Sequence, residues 1–249
     1  MRRLQAAIGG RVKISVLGEG THRQSCQDCA ARDFAICAAL DNTELRELAQ
    51  LSRHVRFESG ATVFAQTNMA TSFFSVHEGT LRLYKLLPDS RRQIVGFALP
   101  GDFLGLSGLP QHEFSAEAIG RVALCQFSKE SFATFAENRP GLLRRIIELA
   151  GRELARAQEH MVLLGRRSAE EKIASFLIGW RDRLSGIGRG GEILPLPMKR
   201  LDIADHLGLT IETVSRTFSK LERDGVIQIF AGGVVLDVAR AEALSGGAS

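Results

Sequence analysis

The sequence predicts an α+β chain in three parts: an N-terminal cysteine segment with an antiparallel β-roll over residues 1–137, a long dimerisation helix over 138–166, and a C-terminal winged helix-turn-helix over 167–249. Three observations carry this reading. Short β-branched and aromatic runs broken by glycine fill Arg53 to Phe127. An apolar residue recurs at alternating steps of four and three from Leu143 to Leu164. The stretch from Lys199 to Leu236 reads as helix, glycine turn, helix and hairpin.

The first twenty residues show no sustained period and read as loose. Arg2 and Arg3 are followed by no continuous apolar core, so this start does not read as a secretory signal. A short helix is expected from Thr43 to Leu51, with Asp41 or Asn42 near its cap. Six strand-like runs follow: Val55–Phe57, Ala61–Phe64, Phe73–Val76, Leu81–Leu86, Ile94–Phe97 and Ala123–Phe127. Gly60, Gly79, Gly96, Gly101 and Gly105 punctuate them, the pattern of an antiparallel barrel or sandwich.

The break Asn138-Arg139-Pro140-Gly141 opens the long helix. Leu143, Ile147, Ala150, Leu154, Ala157, Met161 and Leu164 form a narrow a/d seam, which suits a second copy of the chain better than one small domain. Ser168 to Leu184 is a further amphipathic helix with Ser168 as its cap. The glycine- and proline-rich stretch from Gly186 to Pro197 holds one short strand at Ile193–Leu196.

In the last part, Leu201, Ile203, Ala204 and Leu207 belong to a first helix that Gly208 ends. Thr210 caps a second, whose apolar stripe is Ile211, Val214, Phe218 and Leu221. Its other side carries Glu212, Ser215, Arg216, Ser219, Lys220 and Arg223, with Thr213 beside them. Arginine bonds bidentately to guanine and glutamate accepts from cytosine N4, so Glu212 and Arg216, one turn apart, can reach one base-pair step. Lys220 and Arg223 suit phosphates. Ala231-Gly232-Gly233 turns the hairpin of a wing.

Composition supports this without deciding it. The net charge of +4 suits a polyanionic partner. No apolar run is long enough to span a membrane, and a cytoplasmic location is expected. Gly-x-Ser-x-Gly, P-loop and His-Glu-x-x-His motifs are absent, so no enzyme is expected. The four cysteines are Cys26, Cys29, Cys37 and Cys125. Three lie within a dozen residues and one on a late strand, a set open to zinc, an iron–sulfur cluster or no metal at all. A thiol oxidoreductase built on Cys26 and Cys29 would need a βαβ setting, and none surrounds them. The histidines show no metal spacing, and His22 reads as exposed.

The segment "DIADHLGLTIETVSRTFSKLERDGVI" resembles the helix-turn-helix of the CRP/FNR family of transcription regulators, and "ETVSR" resembles its FNR branch. The resemblance covers nearly the whole chain, with the roll, the seam helix and "SAEEKIASFL" in family order. It implies that Glu212, Ser215 and Arg216 read bases in a TTGAT-N4-ATCAA-like palindrome. It implies double-stranded DNA, RNA polymerase and a second copy of the chain as partners. "CQDCAARDFAIC" is similar to a cluster-binding variant of the branch with a longer gap before the third cysteine than the enteric form. The resemblance then implies that Cys26, Cys29, Cys37 and Cys125 hold an oxygen-labile [4Fe–4S] cluster. Family members that bind cAMP use a glutamate for the ribose and an arginine for the phosphate. Leu106 and Phe114 stand at those places in "GDFLGLSGLPQHEFSAEA", so no cyclic nucleotide is expected. The enteric form also has an acidic residue midway along the seam, where this chain has Ala157.

Overall fold

The computed structural model describes Cys26, residues 29–166 and residues 168–246. The expectations for the first twenty residues and for His22 lie outside these. Helix α1 (Asn42–Leu51) is capped by Asp41, whose carboxylate accepts from Thr43 N and Glu44 N while Glu44 accepts from Asp41 N. Six strands follow: β1 (Ser52–Phe57), β2 (Thr62–Phe64), β3 (Ser72–Leu86), β4 (Arg92–Ala98), β5 (Phe103–Leu104) and β6 (Ser115–Ser128). Their order is β1-β6-β3-β4, with β2 added to β6 and β5 to β3, all antiparallel.

Two of the expected runs merge in β3. Gly79 sits between them at φ 85°, where the register against β6 shifts. A Cβ there would lie 2.3 Å from the Arg121 carbonyl oxygen, so only glycine lets the strand bulge and continue. The roll interior is packed with Phe57, Phe64, Phe74, Val76, Leu81 and Leu124. Helix α2 (Lys129–Glu137), capped by Ser128, was not foreseen, because its Phe132 and Phe135 continue the apolar run of β6.

Helix α3 (Pro140–Arg166) starts at the expected break, with proline in the first turn where its missing N–H costs nothing. Helix α4 (Ala169–Ser185) opens on a capping box between Ser168 and Glu171. Then come β7 (Ile193–Pro195), α5 (Arg200–Leu207), α6 (Ile211–Arg223), β8 (Ile227–Phe230), β9 (Gly233–Leu236) and an unforeseen α7 (Val238–Leu244). Strands β7-β9-β8 form the wing sheet. The C-terminal unit does not close on itself. One core joins Ile94 and Phe97 of β4 to Ile173, Leu177 and Trp180 of α4 and to Ile203, Leu207, Val214 and Phe218 of α5 and α6.

His206 lies in this joint. Its Nδ1–H donates to the Ile94 carbonyl at 3.2 Å and its ring stacks on His160 at 4.1 Å. Burial, then the charges of His160 and Arg183, push its pKa down to about 3. The folded protein therefore refuses a proton that the unfolded chain binds below about pH 6.5. Stability is fully present above that pH and is lost as pH falls toward 3, by about 2 kcal/mol at pH 5 relative to pH 8. His206→Asn, which keeps a donor toward Ile94, should flatten that acid slope in thermal melts. An unchanged slope would assign the acid sensitivity to another group.

Candidate thiol pocket and nucleic-acid interface

Cys125 sits in the last third of β6, opposite His54 on β1 and Ser75 on β3. Side chains two apart on a strand share a face, so His77 joins Ser75 there. Over this face lies the N-terminal segment. Cys37 belongs to a 3-10 turn (Ile36–Ala39) anchored by Ile36, which is fully buried among Phe127, Phe132 and Leu142. As a result Cys26, Cys29, Cys37 and Cys125 line one narrow cavity together with His54 and His77. All four are free thiols. The residues grouped by sequence are thus brought together, the distant Cys125 included.

The two histidines were not anticipated. His77 Nδ1 lies 3.2 Å from Cys29 Sγ, and His54 Nδ1 lies 3.8 Å from Cys125 Sγ. Only the pairing of β1 and β3 with β6 puts them there, and that register is not written in local spacing.

The thiols are unevenly tuned. Burial first, then the neighbouring Cys26 and Cys29 charges, push Cys37 up to about 12. Burial and the other three sulfurs push Cys125 up as well, and Cys26 is raised mainly by burial. Burial also opposes the Cys29 thiolate, but the His77 hydrogen bond and nearby backbone donors outweigh it, so its pKa falls. Four thiolates at this spacing repel one another, and a positive centre between them removes the penalty. The donor set therefore fits a soft, thiolate-bound centre such as an iron–sulfur cluster. Among the described residues no three His, Cys, Asp or Glu side chains are placed to hold one metal ion as they stand. A cluster with one iron per thiolate does not need its ligands to meet at one point.

The thiol segment is fastened to α3. Arg145 donates through Nη2 to the Phe34 carbonyl at 2.8 Å and through Nε to the Ala35 carbonyl at 3.2 Å. Farther along α3 the predicted stripe is uncovered: Ile147 is 71% exposed, Leu154 61% and Met161 64%. Leu143, Ala150 and Ala157 are exposed too. Leu164 departs from the expectation. It is half-buried, and its side chain reaches the turn at Gly208, so it packs within the chain instead of extending the open seam.

On α6, Thr210 caps the helix through Thr213 N, and Val214, Thr217, Phe218 and Leu221 face the core. Ile211, expected in that stripe, is 40% exposed, because it occupies the first helical position beyond the packed turn. Glu212, Ser215, Arg216, Ser219 and Arg223 are all exposed along one side, and Thr213 is half-buried behind them. Lys220 differs: its Nζ bonds Glu170 Oε1 of α4 at 2.6 Å, so it leans back on the protein. Gly208 (φ 63°) makes the tight turn between α5 and α6.

A roll, an uncovered apolar helix and a helix-turn-helix with its reading face open define a DNA-binding regulator. Residues 54–139 match the cyclic nucleotide-binding domain family, and residues 171–244 match the Crp-like helix-turn-helix domain family. The chain belongs to the CRP/FNR family of transcription regulators, in its FNR/FixK-like branch, a family typically dimeric on DNA. It is 62% identical over 235 residues to the nitrogen fixation regulation protein FixK of Bradyrhizobium diazoefficiens, covering 94% of this chain and 99% of that protein. It is 38% identical to the transcriptional activator protein FnrL of Cereibacter sphaeroides, covering 82% of this chain and 84% of that protein. The structure of FixK2 from Bradyrhizobium japonicum matches with a TM-score of 0.74 at 35% identity, over 80% of this chain and 99% of that one. Among the described residues no helix is long and apolar enough to cross a membrane.

Proposed function

We propose that this protein is an oxygen-responsive transcription activator. It works in the cytoplasm, holds a [4Fe–4S] cluster on Cys26, Cys29, Cys37 and Cys125, and binds a TTGAT-N4-ATCAA-like palindrome as a homodimer to engage RNA polymerase. The observation that carries this reading is the meeting of all four cysteines in one cavity at the start of α3. The similarity to FixK and to the activator FnrL supports the activating role.

When bound, the cluster supplies the oxygen-labile element. The chain's own residues do the rest. Cys37 and Cys125, kept in the thiol form by burial, would have to give up their protons to hold the cluster. Ile36 and Arg145 then tie the ligand-bearing segment to the roll core and to α3. The segment's order biases how α3 presents its stripe, and so favours the paired, DNA-competent arrangement. No cyclic nucleotide is part of this scheme. Leu106 packs against the apolar cluster that includes Phe103, Phe127 and Phe132, and Phe114 lies 5.7 Å from Phe64 at the roll interior, so neither offers a polar group to a ribose or phosphate. Residues 105–114 between β5 and β6 contain no helix whose N-terminus would cradle one.

The direct test is the colour of protein purified without air. It should be brown, with a broad absorption toward the blue that bleaches in air, and with iron and sulfide in equal amounts. Colourless, iron-free protein reconstituted in vain would overturn the cluster. DNA reading is tested separately. Arg216→Ala should cost about 1–3 kcal/mol on the palindrome and blur preference at its G·C pair, and Glu212→Ala should relax the same step. Binding to palindromes with each base exchanged measures this, and unchanged selectivity in Arg216→Ala would remove it as the reading residue.

A further inference from the structure

Helix α5 is held from three sides. Asp202, 1% exposed, receives Arg82 Nη1 at 3.0 Å and Arg92 Nη2 at 2.9 Å on one oxygen, and Lys199 N at 3.0 Å on the other. Arg92 also forks onto Asp205 Oδ2, through Nε at 2.9 Å and Nη2 at 2.7 Å. Asp202 and Asp205 are three apart and so lie on one face of α5. Both arginines come from the roll, Arg82 from β3 and Arg92 from β4. Arg82 is itself braced by Glu117 of β6.

The other end of α5 is held as firmly. The last carbonyls of a helix have no partner within it. Here Gln93 of β4 donates to the Asp205 carbonyl at 2.6 Å, His160 of α3 to the His206 carbonyl at 2.8 Å, and Lys172 of α4 to the Leu207 carbonyl at 3.3 Å. Lys172 is buried and also reaches the Leu164 carbonyl at 3.2 Å. Two residues past Gly208, Thr210 already caps α6. The recognition helix therefore cannot tilt unless α5 tilts, and α5 cannot tilt without breaking bonds to the roll.

We propose that Arg82 and Arg92 are positioning residues for DNA recognition: the roll uses them to fix the angle of α6, and through it the half-site spacing that the dimer accepts. The inference rests on the reading above that two copies bind one palindrome. Two recognition helices must enter major grooves about one DNA turn apart, roughly 34 Å. A one-base-pair change in spacer turns one half-site against the other, so a rigidly held α6 rejects it and a loosened α6 adapts. Burial of the pair matters, because Asp202 left without its arginines would be an uncompensated charge.

The test compares full-length wild type, Arg92→Ala, Arg92→Lys and Asp205→Asn on palindromes with central spacers of three to six base pairs. Melting curves and sedimentation check folding and dimer state. Wild type should prefer the four-base-pair spacer by about tenfold or more over its neighbours. Arg92→Ala should shrink that ratio at least about threefold. Arg92→Lys, which keeps the charge but cannot bridge two carboxylates, should fall between. If Arg92→Ala does not fold, Asp205→Asn, which leaves Asp202 paired, carries the comparison. Folded, dimeric variants with the wild-type spacer ratio would overturn the proposal, since loss of stability alone does not alter a ratio. A wild type that binds none of the palindromes would sink the function reading and this inference with it.

Discussion

Cys125→Ser should lose iron and acid-labile sulfide together, and with them the anaerobic affinity for the palindrome, by about a thousandfold toward the non-specific level. Three of the proposed ligands come from a segment twelve residues long, and only Cys125 belongs to the sheet. Without it, whatever the segment holds is no longer fastened to β6. Serine keeps the size but offers a hard, poorly acidic oxygen in a cavity that already opposes charge on Cys125 through burial. Cys26→Ser, Cys29→Ser and Cys37→Ser should behave alike. Iron and sulfide assays on anaerobically purified variants decide it. A full complement in Cys125→Ser would move the fourth ligand elsewhere, and His54 and His77 are the side chains in place to supply it.

The second large effect is expected at the seam. Ala157 lies exposed between Leu154 and Met161, so the middle of the stripe carries no charge to be desolvated when two copies pair. The cluster-free protein should accordingly remain partly dimeric in air at micromolar concentration. Ala157→Asp places one acidic group per subunit in that contact. The nearest cation along the helix, Arg156, is already engaged by Asp102 and Glu153. Each unpaired buried charge costs several kcal/mol, about 3–5 by analogy with broken buried pairs, so the aerobic variant should be monomeric and its association should depend on the cluster. Sedimentation of aerobic and anaerobic samples measures this. A wholly monomeric aerobic wild type would show that Ala157 is off the contact or that the N-terminal segment blocks pairing.

The features legible in the sequence are those in which local spacing is itself the cause. The four–three rhythm from Leu143 to Met161 appears as an open stripe on α3, because 3.6 residues per turn put those positions on one side. Gly208 and Thr210 mark the turn because each has a local backbone task, a left-handed conformation and a side-chain cap. The cysteine group was visible for the same reason. Features made by distant parts meeting were not. His54 and His77 reach the thiols only through strand register, and Arg82 and Arg92 meet Asp202 across 120 and 110 residues. Lys220 looked free for phosphate until α4 brought Glu170 beside it. Leu164 fitted the rhythm, yet the Gly208 turn reaches it first.

Arg145 grips the thiol segment by main-chain carbonyls of Phe34 and Ala35, not by their side chains. A grip on backbone is indifferent to residue type. Among the amino acids between Cys29 and Cys37, Ala30, Arg32 and Asp33 are not buried and can therefore drift, or be redesigned, without disturbing the attachment to α3, whereas the buried Ala31, Ala35 and Ile36 cannot. Under the proposed function, sensitivity to the signal and its transmission would thereby be separable traits. If the thiols hold the proposed oxygen-labile cluster, a library randomised at positions 30, 32 and 33 should yield regulators with different oxygen thresholds that share one output.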